Sequence, residues 1–448
     1  MTNFRKNSIL KKIVFFLIIC FSIQNFSQEG FQFDYNVSKV KIPVEIINNL
    51  VFIKAMVNDV EVTLLLDTGV KETVIFSYED KPLKLNNLEK VLIKGFGHKD
   101  PFEGYKTTNN RIEIKDFIDR NQTIYLVLDE DINFSSMVGI PVNGIIGYEF
   151  FKNYPVKIDY GKSIITVYNQ ENLQIKNAKT ETIPLQFISG KPFINCNVFQ
   201  ESEKNINQGL FLVDTGNSDA VWLFKKNNNE VTIPSIHIED YLGKGLSGVV
   251  SGKRARLKKL QLSKFDIETP ISAYPDSLSL AMLNIAEDRY GSIGAEIMRR
   301  FTTTFDYKNK KMYIKPNKYL NAPFEYDMSG LEIVHDGLEW AAEKYEDKPA
   351  IANNLYDAQG EKISGNLKFK FVLKPVFKIT LVRKESTAAI AGVLVNDILI
   401  AINKKSCSEM NLQDINAILK SADQKNIKLE IERDNKNIEI NFQLKRML

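Results

Sequence analysis

Two aspartates in this chain stand in matching settings. Asp67 and Asp214 each end an apolar run and open the tripeptide Asp-Thr-Gly, in VTLLLDTG and LFLVDTG. A strand that carries an acid at its end, followed by a small hydroxyl residue and a glycine that permits a tight turn, holds a carboxylate on a rigid platform. Two such platforms can set two acids face to face. Carboxylates about 3 Å apart do not both ionise, so they share a proton and one serves as base while the other serves as acid. Such a pair can activate water against a carbonyl group with no metal and no cofactor. Its apparent pKa values belong to the pair and not to either residue.

The match extends beyond the tripeptide. An offset of 147 carries Asp67 to Asp214, Val74 to Val221, Gly144 to Gly291, Ile146 to Ile293, Gly147 to Gly294, Glu149 to Glu296, Asp159 to Asp306 and Tyr160 to Tyr307. The blocks NGIIGYEFFKNYPVKIDY and YGSIGAEIMRRFTTTFDY are therefore two copies of one unit. Upstream the offset is 141, between IPVEIINNLVFI at Ile42 and IPLQFISGKPFI at Ile183, because the second copy has the longer hairpin QESEKNINQG. Asp159 and Asp306 repeat as faithfully as the first pair. They sit in DYGK and DYKN turns, which explains them without chemistry.

The elements that must position the acids are strands. VFIKAMV, VTLLL, ETVIF, VKIDY and SIITVY alternate or cluster apolar residues between turn signals, while YEFFKNY and AEIMRRF are short helical signals in equivalent places. The reading is mainly β. A length of 448 residues allows about three domains. The repeat sets them: a signal peptide over 1–27, a first lobe over 31–172, a second lobe over 173–322, and a third domain over 323–448.

Arg5, Lys6, Lys11 and Lys12 precede the apolar stretch IVFFLIICFSI, the pattern of an export signal removed from the mature chain. The stretch is short for a membrane span, so the mature chain is expected to have none and to be periplasmic or extracellular. Ile19 before Cys20 is larger than lipoprotein processing normally accepts, which argues against a lipid anchor. The chain has 59 basic and 55 acidic residues, and loss of the four leader cations balances them, which leaves no footprint for nucleic acid. Cys196 and Cys407 lie far apart, and His98, His237 and His335 have no partner at metal-ligand spacing. Neither a disulfide framework, a metal site nor a Cys-His or Ser-His nucleophile is expected.

These motifs resemble the bilobal aspartic peptidases, the pepsin-like and retropepsin-like group, and most closely the secreted bacterial members that carry a C-terminal PDZ domain. The resemblance spans nearly all of the mature chain. It implies two homologous aspartic-protease-like β lobes with a central cleft, and an aspartic endopeptidase with Asp67 and Asp214 catalytic on a peptide or protein substrate. It assigns Thr68, Gly69, Thr215 and Gly216 to dyad support, with the Thr hydroxyls bonding across the lobe interface. IIG at Ile145 to Gly147 and SIG at Ser292 to Gly294 would brace the loops, with Ser292 where an apolar residue is usual. Val70 and Asn217 follow the tripeptides, where the family often has Ser, Thr or Ala. Val70 can donate no hydrogen bond to its aspartate, whereas Asn217 can, and loss of a donor raises a carboxylate pKa, so activity should extend toward neutral pH. The resemblance also places covering hairpins at GFGHKDPFEGY and GKGLSGVVSG, with Gly95, Gly97, Gly243 and Gly245 as candidate flap glycines and Tyr105 as a flap aromatic.

From about Pro323 the pattern resembles a PDZ domain, an α+β unit. STAAIAGVLVNDILIAIN carries its helix turn and buried strand, with Gly392 and Asp397 in their usual places and Asn396 where Gly is usual. MSGLEI resembles the loop that holds a peptide carboxylate, with Gly330 and Leu331 opening the strand on which a peptide ligand would add. An insertion at about 336–369 follows, able to cover that groove or to make another. The domain would tether substrate or regulate. The alternative is a catalytically weak or inactive peptide-binding or scaffold protein on the same fold, favoured by Val70 and Ser292.

Overall fold

Strand Lys39–Pro43 alternates exposed and buried residues, with Val40 and Ile42 turned inward, the period of a half-buried strand. Val60–Leu66 loses that alternation toward its end, where Val62 to Leu66 are all buried, because it becomes the covered centre of a sheet. Asn48-Asn49 and Asn58-Asp59 turn the chain between these strands with positive φ at both residues (49° and 70°, 44° and 68°), the backbone that matches strand twist and that Asn and Asp tolerate. Ser189-Gly190 does the same in the second copy. This computed structural model describes residues 29–76, 83–93, 101–128, 133–169, 173, 175, 179–201, 206–226, 230–245, 248–281, 288–345 and 368–448. The expected signal peptide over 1–27 lies outside them. No helix among the described residues is long and apolar enough to cross a membrane.

The first lobe places its strands in the order Phe117–Val127, Thr73–Ile75, Gly144–Ile146, Val60–Leu66, Leu50–Val57, Phe102–Ile114, Glu89–Ile93. The second repeats the central part as Ile271–Pro275, Val221–Leu223, Arg289–Gly294, Ile206–Asp214, Lys191–Phe199, and extends it with the hairpin His237–Gly245 and Gly248–Arg256. In each lobe the Asp-bearing strand runs parallel to the Gly-containing one. Gly144 pairs with Leu64 and Gly291 with Phe211, both pairs moved by the repeat offset.

A third, six-stranded sheet joins the lobes, with Val156–Asp159 paired antiparallel to Phe301–Asp306 at its middle. Lys157 there pairs with Thr304, which is its own repeat equivalent. The pseudo-twofold axis therefore passes through this pair. Phe151 fills the junction, with ring centroids 5.4 Å from Phe305 and 5.2 Å from Tyr307. Truncating so buried a ring costs about 3–5 kcal/mol.

The C-terminal unit has its own core, built from Leu331, Ile333, Phe377, Ile379, Leu399 and the inward face of a helix. That helix, Leu412–Leu419, buries Leu412, Ile415 and Leu419 at helical spacing and starts in a capping box of Asn411 and Asp414. Its sheet runs Leu331–Tyr345, Lys368–Val382, Ile398–Ile402, Asn426–Arg433, Lys436–Gln443. Asn396 adopts φ 75°, which Asn tolerates better than most residues, so it serves where Gly is usual. Asp397 beside it accepts from Leu394 N at 2.9 Å and from Arg433. The described flanks of the insertion prolong two strands as a ribbon with Trp340 opposite Leu373, and both stand exposed. Residues 346–367 lie outside the described set.

Candidate active site

Each aspartate is set by the strand behind it. Asp67 N donates to the Ile146 carbonyl at 2.9 Å, and Gly147 beyond it packs so close to the Val70 carbonyl that a Cβ would overlap it. Asp214 pairs with Gly294, and Gly294 packs in the same way on the Asp219 carbonyl. Only glycine allows that approach. Each tripeptide then turns back on its own acid: Gly69 N donates to Asp67 Oδ1 at 2.6 Å, and Gly216 N to Asp214 Oδ1 at 3.2 Å.

The two loops lock together through their threonines. Thr68 Oγ1 donates to the Val213 carbonyl at 2.6 Å and accepts from Thr215 N at 3.0 Å. Thr215 Oγ1 donates to the Leu66 carbonyl at 2.9 Å and accepts from Thr68 N at 3.1 Å. Both threonines are fully buried. Across this joint the Asp67 and Asp214 carboxyls face one another, each reaching to the glycine of the opposite tripeptide. A Cβ at Gly69 would stand 2.8 Å from Asp214 Oδ1 and 3.0 Å from Asp67 Oδ1, so the joint has room for glycine alone.

The pair is electrostatically unequal. Burial first, and the Asp214 charge second, hold Asp67 well above the ordinary carboxylate range. Burial raises Asp214 too, but the charges of Arg289 and Lys191 pull it back. Arg289 is itself lowered to about 10 by burial, against the opposing pull of Asp214. It is anchored by Ser292, whose hydroxyl accepts from Nη2 at 2.7 Å, by the Gly291 carbonyl at 3.1 Å, and by the ring of Phe224 at 4.9 Å. Ser292 therefore departs from the apolar pattern because it holds a guanidinium.

Of the residues singled out by sequence, the structure brings together Asp67, Thr68, Gly69, Asp214, Thr215 and Gly216. Val70 packs in a small apolar cluster and accepts through its carbonyl from Tyr148 N at 3.1 Å. The Asn217 side-chain oxygen accepts from Asp219 N at 3.0 Å, in a local turn. Gly95 and Gly97 lie outside the described residues. Gly243 and Gly245 sit on a hairpin strand, and Gly243 lines a cavity of about 520 Å³ that also reaches Asp219, Gly330 and Leu331. The Tyr105 ring packs partly buried against the main core. Gly330 and Leu331 lie in the C-terminal unit, where their amides donate to Asp327 Oδ1 at 2.6 and 3.3 Å. Sequence reasoning missed Arg289, Lys191 and Tyr307, whose hydroxyl is raised by burial and then by the Asp67 charge. Among the described residues no group of three or more His, Cys, Asp or Glu could hold a metal.

Comparison with known families gives two matches. Residues 53–150 match the aspartyl protease family, and residues 378–433 match the PDZ domain. The chain thus joins an aspartyl-protease-family lobe, duplicated by its own internal repeat, to a PDZ domain. Among solved structures it is similar to the crystal structure of aspartic proteinase from Irpex lacteus, at 12% identity and a TM-score of 0.41, over 64% of this chain and 99% of that one. Comparison with the curated proteins finds no match.

Proposed function

We propose that this chain is an exported aspartic endopeptidase, periplasmic or extracellular, in which Asp67 and Asp214 hydrolyse peptide bonds in an extended substrate. The observation that carries this reading is the apposition of the two acids at the lobe junction, held by a buried threonine lock. An apposed acid pair is costly to bury without use.

In this reading Asp214, kept closer to its ionised form by Arg289, takes a proton from water as the water oxygen attacks the scissile carbonyl carbon. Asp67 gives its proton to the carbonyl oxygen, and a gem-diol forms. When the C–N bond breaks, the amine nitrogen receives the proton from Asp214 and one diol hydroxyl returns its proton to Asp67. The pair is thereby restored. Two peptides leave, and no covalent intermediate forms. The glycine hairpins would cover the cleft and exclude water.

A cleavage assay on a diverse peptide library from pH 3 to 8 tests the reading, with wild type beside Asp67→Asn and Asp214→Asn. Each substitution should lower kcat by at least about 10²- to 10⁴-fold, the range ascribed to general acid and base groups. Variants that cleave as fast as wild type would remove the dyad from the reaction.

A further inference from the structure

A PDZ domain receives a peptide between an edge strand and a helix, with the terminal carboxylate on loop amides. Here the strand is Leu331–Tyr345 and the helix is Leu412–Leu419, and the first lobe already docks on both. The short helix Phe134–Val138 of the first lobe lies against both. Its Val138 carbonyl accepts from Gln413 Nε2 at 2.6 Å, and a Cβ at Gly139 would stand 3.1 Å from Leu412 Cβ. Met137 shares one cavity lining with Leu331, Ile333, Asn416 and Lys420. The loop amides are also taken. The Asp327 carboxylate accepts from Gly330 N, Leu331 N and, at 2.7 Å, Ser329 Oγ.

The docked segment is prepared for its place. Asn133 caps its start by accepting from Ser136 N at 3.0 Å, Gly139 ends it at φ 80°, and Ser135 Oγ accepts from Val142 N at 2.9 Å. A segment ordered in advance gives up little entropy on docking. We infer that residues 133–139 are the internal ligand of the PDZ groove and that Asp327 stands in for a peptide carboxylate, so the domain clamps the lobes instead of receiving a free C-terminus.

The clamp reaches the supports of both aspartates. Residues 133–139 lead into Gly144–Ile146, the strand behind Asp67. On the other side Arg383 of the PDZ domain faces Asp240 at 3.5 Å, Asp240 bonds Arg254 at 2.8 Å, and Arg254 bonds Asp219 at 2.7 Å on the Asp214 loop. A tethered ligand acts at an effective concentration on the order of millimolar, which free peptide must exceed.

The test uses the full chain and no turnover, so it stands apart from the peptidase reading. A fluorescent pool of hexapeptides ending in Val, Leu, Ile or Phe with a free carboxylate should show no saturable anisotropy change with wild type below about 1 mM. Micromolar binding by wild type would overturn the inference. Hydrogen exchange is then compared between wild type and Met137→Asp with Gln413→Ala. Peptides covering 134–139, 331–335 and 412–420 should lose protection together, by about 10-fold or more, if the helix and groove open as one unit. Faster exchange at 134–139 with the groove peptides unchanged would equally overturn it.

Discussion

Replacing Thr215 with Val keeps shape and removes one hydroxyl, and the geometry sets what that costs. The hydroxyl donates to the Leu66 carbonyl at 2.9 Å and accepts from Thr68 N at 3.1 Å. Thr215 is fully buried, so the substitution leaves a carbonyl and an amide with no replacement partner. Each orphaned group costs about 1–3 kcal/mol, which gives about 2–6 kcal/mol for the single variant. Thr68→Val breaks the equivalent pair of bonds to Val213 and Thr215 and should cost about the same. Because the four bonds form one ring, the double variant should lose clearly less than the sum, with a coupling of about 1–3 kcal/mol. Thr215→Ser should restore most of the loss. The assay is urea unfolding of the five forms, followed by tryptophan fluorescence and read as midpoint shifts at constant slope. Single variants within about 0.5 kcal/mol of wild type, or strict additivity, would refute the idea that the threonines lock the lobes.

Arg289→Gln removes the cation beside Asp214, and since that charge lowers the Asp214 pKa, the acid limb of kcat/KM should move up by about 1 pH unit or more. Ser292→Val should move it in the same direction by less, since it only frees the guanidinium. Gly216→Ala sets a methyl 2.2 Å from the Asp67 carboxyl carbon in the buried joint, so kcat should fall about 10²-fold and the unfolding midpoint should fall with it. The raised carboxyl pKa values make a stability that is full below the unfolded value near 4 and lost as pH rises through the folded values. Asp67→Asn removes the repulsion between two ionised acids. It should therefore unfold at higher temperature than wild type at pH 8 and show no such gain at pH 4.

The lobes were legible because duplication writes itself twice. Asp67, Gly144 and Gly147 each have an equivalent 147 positions on, and the structure uses these equivalents at corresponding sheet positions. What breaks the symmetry was hidden for the same reason. Arg289 corresponds to Val142 and Ser292 to Ile145, so the repeat marks one as unmatched and the other as a defect, and only their 2.7 Å contact explains both. The sequence offers Asn217 for its donor, and what the structure shows is its oxygen accepting from the nearby Asp219 amide. Short local bonds of this kind compete with longer ones and follow from backbone geometry. The docking of residues 133–139 on the PDZ groove pairs segments over 270 positions apart, and neither the helix nor Gln413 carries a local signal of it.

The central claim is that Asp67 and Asp214 hold one proton between them across the lobe junction. Titration of the aspartate side-chain carboxyl carbons by NMR in the full chain, assigned through Asp67→Asn and Asp214→Asn, tests it directly. The account predicts two coupled steps seen at both residues, widely separated and with the upper one well above the ordinary aspartate value, collapsing to one step in either variant. Two independent aspartates that each titrate near 3.9, unchanged when the other is replaced, would contradict it.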